Sequence, residues 1–481
     1  MLNRWWSLLH RRPSVWVAVG IVVGHAALMA GVAAAGRWGD YAFASLDATE
    51  YYQLAQSLCD HFAFGVTGPS GEWSADTWRT PGYPAFLALV MTLVGRSPAA
   101  LIAVQHLLGM LSTWLIFSIA SRHMSTRRAG LVTLLFFLEP YHHYYSFWLL
   151  STSLFVALLL VTWYAWERAL EMATWRRACL WSLCAGLLVL VRPIALFVPV
   201  FLVAGWMVGQ LRGDNSGGET RSRGRRIVLS CAVLATACAA PAAWMFRNLD
   251  VAGRFALSSQ RGVVLAYFKA AEVTLWQEGR TRDRYLETSL DEKHAHDRHP
   301  VWESIDRRLQ ARFPQLDDAQ RAELSWPNLA QGNKTDLDSF TVSDALTAIG
   351  WNDLLADPWS TLACSTARCV SMLTFPINLA LEPPTGMTVK PWRSVATGSV
   401  YLLLLVGLLI RLLRGGLQFE VAYFPIACAA APLLATIPQL DPRFRVPMIP
   451  MLVFIALMPS VRISSRHDSA RCRQTNTPRR G

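Results

Sequence analysis

The sequence has no Cys-x-x-Cys pair and no Cys/His ligand spacing, which removes the usual structural zinc and dithiol redox frameworks. It has no internal repeat of fixed period and no long low-complexity run, so repeat arrays and biased linkers are excluded. No basic groove motif accompanies its positive charge, and nucleic acid is set aside as a partner. Acidic residues are scarce: Asp and Glu number 33 against 45 Lys and Arg, for a formal net charge of +12. Several of the longest apolar runs carry no charge at all.

The apolar runs themselves are abundant. Of 481 residues, 53% are hydrophobic and 20 are Trp, with a mean hydropathy of +0.28. Ser14–Gly36, Ser394–Leu413 and Phe419–Pro438 are long enough for a hydrocarbon core, which takes roughly 17–25 apolar residues. One soluble core would not bury so many such stretches, so the class is a polytopic membrane protein. Most of the nine Cys, including Cys179, Cys184, Cys231, Cys238 and Cys428, fall inside apolar spans and act as small hydrophobes. Cys364 and Cys369 are either packing thiols or a pair outside the membrane. Ser14–Gly36 behind its basic cap is too long for a signal-peptide core and reads as an uncleaved anchor.

Arginines sit in short caps at Arg4, Arg11 and Arg12; Arg122, Arg127 and Arg128; Arg212 through Arg226; and from Arg462 to Arg480. Reading these caps as cytoplasmic gives one trace. Ser14–Gly36 leaves the cytoplasm, Pro98–Ala120 returns, Ala129 to about Tyr141 exits, and Leu149–Trp166 comes back. Ala178–Val191 exits, Pro193–Leu211 re-enters, Ile227–Met245 exits, and three later spans bring the tail inside. The count is roughly ten crossings. Tyr83–Val94 is short and Trp359–Leu379 is interrupted by Arg368, so both read as interfacial or re-entrant. Their both crossing is the competing topology.

The expected fold class is therefore an all-α polytopic membrane protein, a transmembrane helix bundle with an extracytoplasmic loop region. Residues 1–246 form an N-terminal transmembrane module with an acidic first outer loop at 37–80. Residues 247–393 form an outer region, 394–462 the C-terminal helices, and 463–481 a basic cytoplasmic tail. Within the outer region Ile305, Leu309 and Phe313 recur at helical spacing. Asn333-Lys-Thr335 is a glycosylation triplet of a kind common by chance.

The first outer loop concentrates the acids: Asp40, Asp47, Glu50, Asp60, Glu72 and Asp76 all lie between Gly36 and Arg79. Asp47 with Glu50 three residues on reads as a capping box opening a helix, with Tyr51, Leu54, Ala55 and Leu58 as its apolar stripe. Asp47 also reads as a base at the mouth of a cavity, where desolvation would raise its pKa. The two readings are compatible. Arg79 opens Arg79-Thr-Pro-Gly-Tyr-Pro84, whose prolines predict an extended approach to the next apolar segment. It either snorkels to headgroups or takes a phosphate in bidentate fashion.

Glu139 ends an apolar run in Glu139-Pro-Tyr-His-His-Tyr-Tyr145, where a carboxylate is expensive unless paired or at work. Adjacent His142 and His143 point different ways and read as part of a helix end rather than a metal site. Arg192, Arg247, Arg443 and Arg445 all fall on the outer face of the trace, against the charge rule. Binding an anionic lipid phosphate or pairing with the acidic loop would account for them.

These patterns resemble the integral-membrane GT-C glycosyltransferases that use polyprenyl-phosphate sugars, in the branch of protein mannosyltransferases and lipid A aminoarabinose transferases. Asp47-Ala-x-x-Tyr51-x-x-Leu-Ala55 is similar to that branch's first-loop motif with the catalytic aspartate. Arg79-x-Pro-Gly-Tyr-Pro84, Leu190-Val-Arg-Pro193, Pro241-x-x-Trp244-x-x-Arg-Asn248 and Arg443-x-Arg-x-Pro447-x-x-Pro450 resemble later landmarks, in order. Residues 250–390 carry none of them. Relatives often place an acid in a Leu-Leu-Thr-Glu-like stretch where this chain has Leu149-Leu-Ser-Thr-Ser153. Thr152 is no carboxylate, which leaves Glu139 as second acid, Asp47 acting alone, or altered activity.

The resemblance implies transfer of a sugar from a polyprenyl-phosphate-linked donor to an envelope acceptor (lipid, glycan or protein) on the outer face. Asp47, Glu50 and Glu139 are the catalytic candidates; Arg79, Arg192, Arg247, Arg443 and Arg445 are the donor-phosphate candidates. The scheme requires no metal, and a divalent ion is compatible with it. The implied partners are the donor, the acceptor and membrane lipids. The implied location is a bacterial inner membrane with a periplasmic site. The rivals are a transporter or flippase for a lipid-linked or anionic solute, an envelope glycan ligase or polymerase, and an inactive scaffold.

Overall fold

The computed structural model describes residues 13–36, 38–67, 73–171, 174–212, 223–279, 300–325, 328–329, 339–374, 422–428 and 446–458. These residues form a helical bundle carrying a second helical region and one two-stranded ribbon, so the all-α membrane class expected from the sequence holds. Among them, four helices are long and apolar enough to cross a membrane: Trp16–Ala34, Pro98–His123, Thr152–Glu171 and Ile227–Ala252.

Helices α1 (Pro13–Ala35), α2 (Trp38–Ala42) and α3 (Leu46–His61) lead into an antiparallel ribbon, β1 (Gly65–Thr67) and β2 (Trp73–Ala75), paired Gly65 to Ala75. Then come α4 (Gly82–Val94), α5 (Pro98–His123), α6 (Thr126–Phe137), α7 (Pro140–Ser146), α8 (Thr152–Glu171) and α9 (Trp175–Val191). A 3-10 turn at Pro193–Leu196 precedes α10 (Phe197–Arg212) and α11 (Arg223–Ala252).

Two sequence expectations change here. The span expected from Ala129 to about Tyr141 is broken: α6 stops at Phe137 and α7 restarts at Pro140. Pro140 has no N–H and begins the new helix instead of continuing the old one. With 12 residues, α6 extends only about 18 Å, short of the roughly 30 Å hydrocarbon core. Conversely, α11 passes through Pro241 and continues to Ala252, beyond the end expected at Met245.

The bundle core is rich in indoles. Trp166 and Trp181 meet edge to face with centroids 4.7 Å apart, Trp206 lies 5.7 Å from Trp181, and Trp163 stacks on Phe424 at 5.5 Å. Such pairs add about 0.5–1.5 kcal/mol beyond their burial. α9 and α11 come together closely because Gly186 has no side chain; a Cβ there would lie 2.4 Å from the Ala237 carbonyl oxygen. At one end of the bundle, Glu167 of α8 takes a 3.0 Å bond from Arg122 and meets His123 at 2.9 Å, both from the end of α5. The basic ends of α5 and α8 therefore share a face, as the charge trace requires.

The second helical region builds on α12 (Arg261–Val263), a π-helical turn at Val264–Ala270, α13 (Ala271–Gln277), α14 (Pro300–Gln310), α15 (Asp318–Glu323), α16 (Ser339–Ala356) and α17 (Pro358–Thr374). Ile305 and Leu309 are buried in its own core with Tyr267, Leu346 and Ile349, as their helical spacing predicts, and Phe313 joins that core from three residues past the end of α14. Cys369 and residues 375–421, including Ser394–Leu413, lie outside the described side chains, as does most of Phe419–Pro438. Val446–Met448 and α18 (Ile449–Leu457) return as buried bundle elements.

Candidate functional site

At the end of the bundle away from Glu167, the acidic loop, the start of α8, the α9–α10 turn and the end of α11 converge. α3 begins at Ser45, whose backbone is extended (φ −143°, ψ 153°) and whose hydroxyl accepts from the Ala48 N–H at 3.3 Å. The cap is therefore Ser45, not Asp47. The Asp47 carboxylate is drawn instead to a cation.

That cation is Arg79. Its Nη2 donates to Asp47 Oδ1 at 2.6 Å and lies 2.5 Å from Glu50 Oε2; its Nε donates to Glu50 Oε2 at 2.6 Å. Its own N–H donates to Asp76 Oδ1 at 2.8 Å. One guanidinium thus bridges two carboxylates one helical turn apart, and a third carboxylate fixes its backbone. Burial works against the Arg79 charge, but Asp47 and Glu50 overcome it and hold the proton more tightly than usual. Burial pushes the Glu50 carboxyl up to about 7, with Asp47 and Asp76 adding to the rise and Arg79 opposing it. Glu50 Oε1 is buried with no hydrogen-bond partner.

The helix immediately after Arg79 aims its side chain. Pro81 is the N-cap of α4 with helical dihedrals, and Pro84 lies in the first turn, where a missing N–H costs nothing. The prolines therefore start a helix, where the sequence predicted an extended approach. Gly82 sits against the last turn of α9; a Cβ there would be 2.6 Å from the Leu190 carbonyl oxygen. This contact brings Tyr83 beside Tyr51, with ring centroids 5.0 Å apart, and Tyr51 in turn lies 5.1 Å beneath the Arg79 guanidinium.

Arg192 caps the end of α9 and turns its guanidinium toward the start of α8. Its Nε donates to Ser151 Oγ at 2.8 Å and its Nη2 to Thr152 Oγ1 at 2.6 Å. The departure noted at Thr152 therefore falls on a partner of the arginine. Arg247 has a different occupation. It donates to the Asp76 and Phe64 carbonyls at 2.6 and 2.9 Å and to Asn248 Oδ1 at 2.9 Å, clamping the open end of the ribbon, where the two strands meet the rest of the chain, to α11.

Glu139 is the N-cap of α7 and accepts from the His142 N–H at 2.6 Å. It belongs to another element than the Asp47–Arg79–Glu50 group. His142 and His143 are joined by His25 and His106 from α1 and α5, with the Nδ1 atoms of His25 and His106 3.3 Å apart. Among the described residues no group of His, Cys, Asp or Glu is arranged to hold a metal ion. Arg443 and Arg445 lie outside the described residues.

The sequence reading missed Gln105. Buried on α5, it accepts from Tyr83 Oη at 2.9 Å and donates to the Trp148 carbonyl at 2.7 Å and the Ser146 carbonyl at 3.1 Å. It ties α4 to the segment that carries Ser151 and Thr152. A lone amide in an apolar helix was the available signal.

Residues 78–244 match the model of a family described as dolichyl-phosphate-mannose-protein mannosyltransferase. The resemblance read from the motifs is thus present over this segment, which contains Arg79 and Arg192. No curated protein matches the chain. Among solved structures, an Archaeoglobus fulgidus oligosaccharyltransferase tethered to an acceptor peptide is similar at 12% identity and a TM-score of 0.49, over 94% of this chain and 50% of that one. The Archaeoglobus fulgidus oligosaccharyltransferase AglB with an inhibitory peptide and dolichol-phosphate gives 12% and 0.43, over 98% and 53%. ArnT from Cupriavidus metallidurans bound to undecaprenyl phosphate gives 12% and 0.36, over 90% and 77%. The chain spans about half the length of the two archaeal structures.

Proposed function

We propose that this chain is a GT-C membrane glycosyltransferase that moves a sugar from a polyprenyl-phosphate donor to an envelope acceptor, with Asp47 as the base. The observation that carries this reading is the carboxylate of Asp47 held by a buried guanidinium at a bundle end that also gathers Arg192. The mannosyltransferase family match over residues 78–244 supports the reaction class.

In the reaction, Asp47 accepts the proton of the acceptor nucleophile as that atom bonds to the anomeric carbon. The bond from that carbon to the phosphate oxygen breaks, and its electron pair leaves on the lipid phosphate. A phosphate leaving group is already anionic, so a cation serves it better than a proton donor. Arg192, held by two neutral hydroxyls, is our choice for that cation. Arg443 and Arg445 are assigned to the same phosphate on their motif alone. Arg79 and Arg247 are engaged by carboxylates and carbonyls, so we assign them to holding the site. Glu139 is assigned to helix capping.

The domain limits at 246, 393 and 462, the outer-face location and the bacterial inner membrane belong to the same proposal. The test compares envelope glycans, lipids and glycoproteins by mass spectrometry with and without the chain. The expected result is a mass difference of one sugar residue, absent when Asp47→Asn replaces the wild type. Unchanged glycans in the chain's absence would remove the proposed activity.

A further inference from the structure

Two carboxylates and one guanidinium make an unbalanced set. Asp47 and Glu50 together carry one more negative charge than Arg79 neutralises, and Asp76 adds a third carboxylate at the Arg79 backbone. α4, which packs along α3, carries no charged side chain. Tyr51 covers one face of the guanidinium, and Arg247 of α11 faces Asp76 from the other side of the loop. Crowding of like charges in this set is relieved by protonating one carboxyl.

The geometry selects which one. Asp47 Oδ1 is bonded to Nη2 and its side chain is 27% exposed, while the Glu50 side chain is 19% exposed. Glu50 presents Oε1 to a buried space with no partner, where a proton removes the cost of a desolvated charge. The rise of Glu50 to about 7 agrees with this choice.

We propose that Glu50 is the positioning and charge-setting residue of this site: its ionisation divides the Arg79 guanidinium between two carboxylates and makes Asp47 the stronger base. This rests on the reading of Asp47 as base. With Glu50 neutral, Arg79 is committed to Asp47 and weakens it as a proton acceptor. With Glu50 ionised, Asp47 shares the cation and takes the acceptor's proton more readily. Glu50 never touches the substrate; it acts through Arg79.

Two measurements test this. The first needs no substrate: infrared spectroscopy of the purified full chain in lipid nanodiscs, titrated across neutral pH, follows the protonated-carboxyl band. The wild type loses a band with a midpoint near pH 7. Glu50→Gln lacks that band, Glu50→Asp restores a titrating one, and Asp47→Asn moves the midpoint down, since the Asp47 charge helps to raise it. A band unchanged in Glu50→Gln overturns the proposal.

The second is the pH profile of kcat with an undecaprenyl-phosphate mannose probe. The wild type rises through neutrality, while Glu50→Gln is flat there and about tenfold slower on the alkaline side, as a base weaker by about one pKa unit would be. A wild-type pH limb in Glu50→Gln, alongside an inactive Asp47→Asn, overturns this proposal and leaves the base assignment standing. An active Asp47→Asn overturns the base assignment itself, and with it the residue that Glu50 would tune.

Discussion

Thr152 Oγ1 accepts a 2.6 Å hydrogen bond from Arg192 Nη2, and Ser151 Oγ accepts another from Nε. Both hydroxyls are uncharged, and together they orient the guanidinium. The sequence marked Thr152 as a departure from an acidic position; the structure gives that departure a location. Thr152→Glu should neutralise Arg192 and weaken the donor. The expected outcome is a donor KM raised by about tenfold or more, the scale of a charge-assisted hydrogen bond, with a smaller change in kcat. Steady-state kinetics with varied donor checks it.

Asp47→Asn keeps the shape and removes the proposed base. The expected loss in kcat is about a hundredfold or more, with donor KM nearly unchanged. Asp47→Asn also takes a carboxylate away from the buried Arg79 guanidinium, so the melting temperature should fall as well, and assays run well below the variant's own transition separate lost chemistry from lost fold.

Glu50 also links stability to pH. Its folded-state value of about 7 lies above its ordinary 4.5, so between those values the folded chain binds more protons than the unfolded one. The contribution is therefore full below the ordinary value and is lost as pH rises through about 7. Glu50→Gln should flatten the fall in melting temperature across that window. A fall of wild-type steepness in the variant would contradict this.

Gly82→Ala tests the contact between α4 and α9. The added methyl meets the Leu190 backbone at 2.6 Å, and backbone yields less readily than a side-chain tip. The expected cost is about 1–3 kcal/mol, read as a lower melting temperature. Val191 and Arg192 come directly after the crowded carbonyl, so donor KM should rise as well.

Much of this was written in the sequence. Apolar length located α1, α5, α8 and most of α11, and spacing located the buried face of α14, because both depend on local pattern. The acidic loop and the Arg79 motif were also legible as parts of the candidate site. Which side chain pairs with which was not. Asp47 and Glu50 fit a capping box, yet Ser45 caps the helix, because the decisive partner, Arg79, lies 32 residues from Asp47 along the chain. Glu139 was singled out by its cost near a membrane, and the sequence did not show that its carboxylate accepts from a backbone N–H three residues on. Arg247 was chosen for its side of the membrane, while its bonds run to carbonyls on a distant ribbon.

That ribbon has a consequence for biosynthesis. The Phe64 carbonyl is gripped by a side chain 183 positions later, and the Trp78 carbonyl by the Ser258 hydroxyl, 180 positions later. A nascent chain has made α3, with Asp47 and Glu50, long before these clasps emerge from the ribosome. The acidic loop must wait, unframed, through the synthesis of α4 to α11. A polypeptide truncated ahead of Arg247 would carry every residue of the Asp47–Arg79–Glu50 group and still lack the clasp that closes around it.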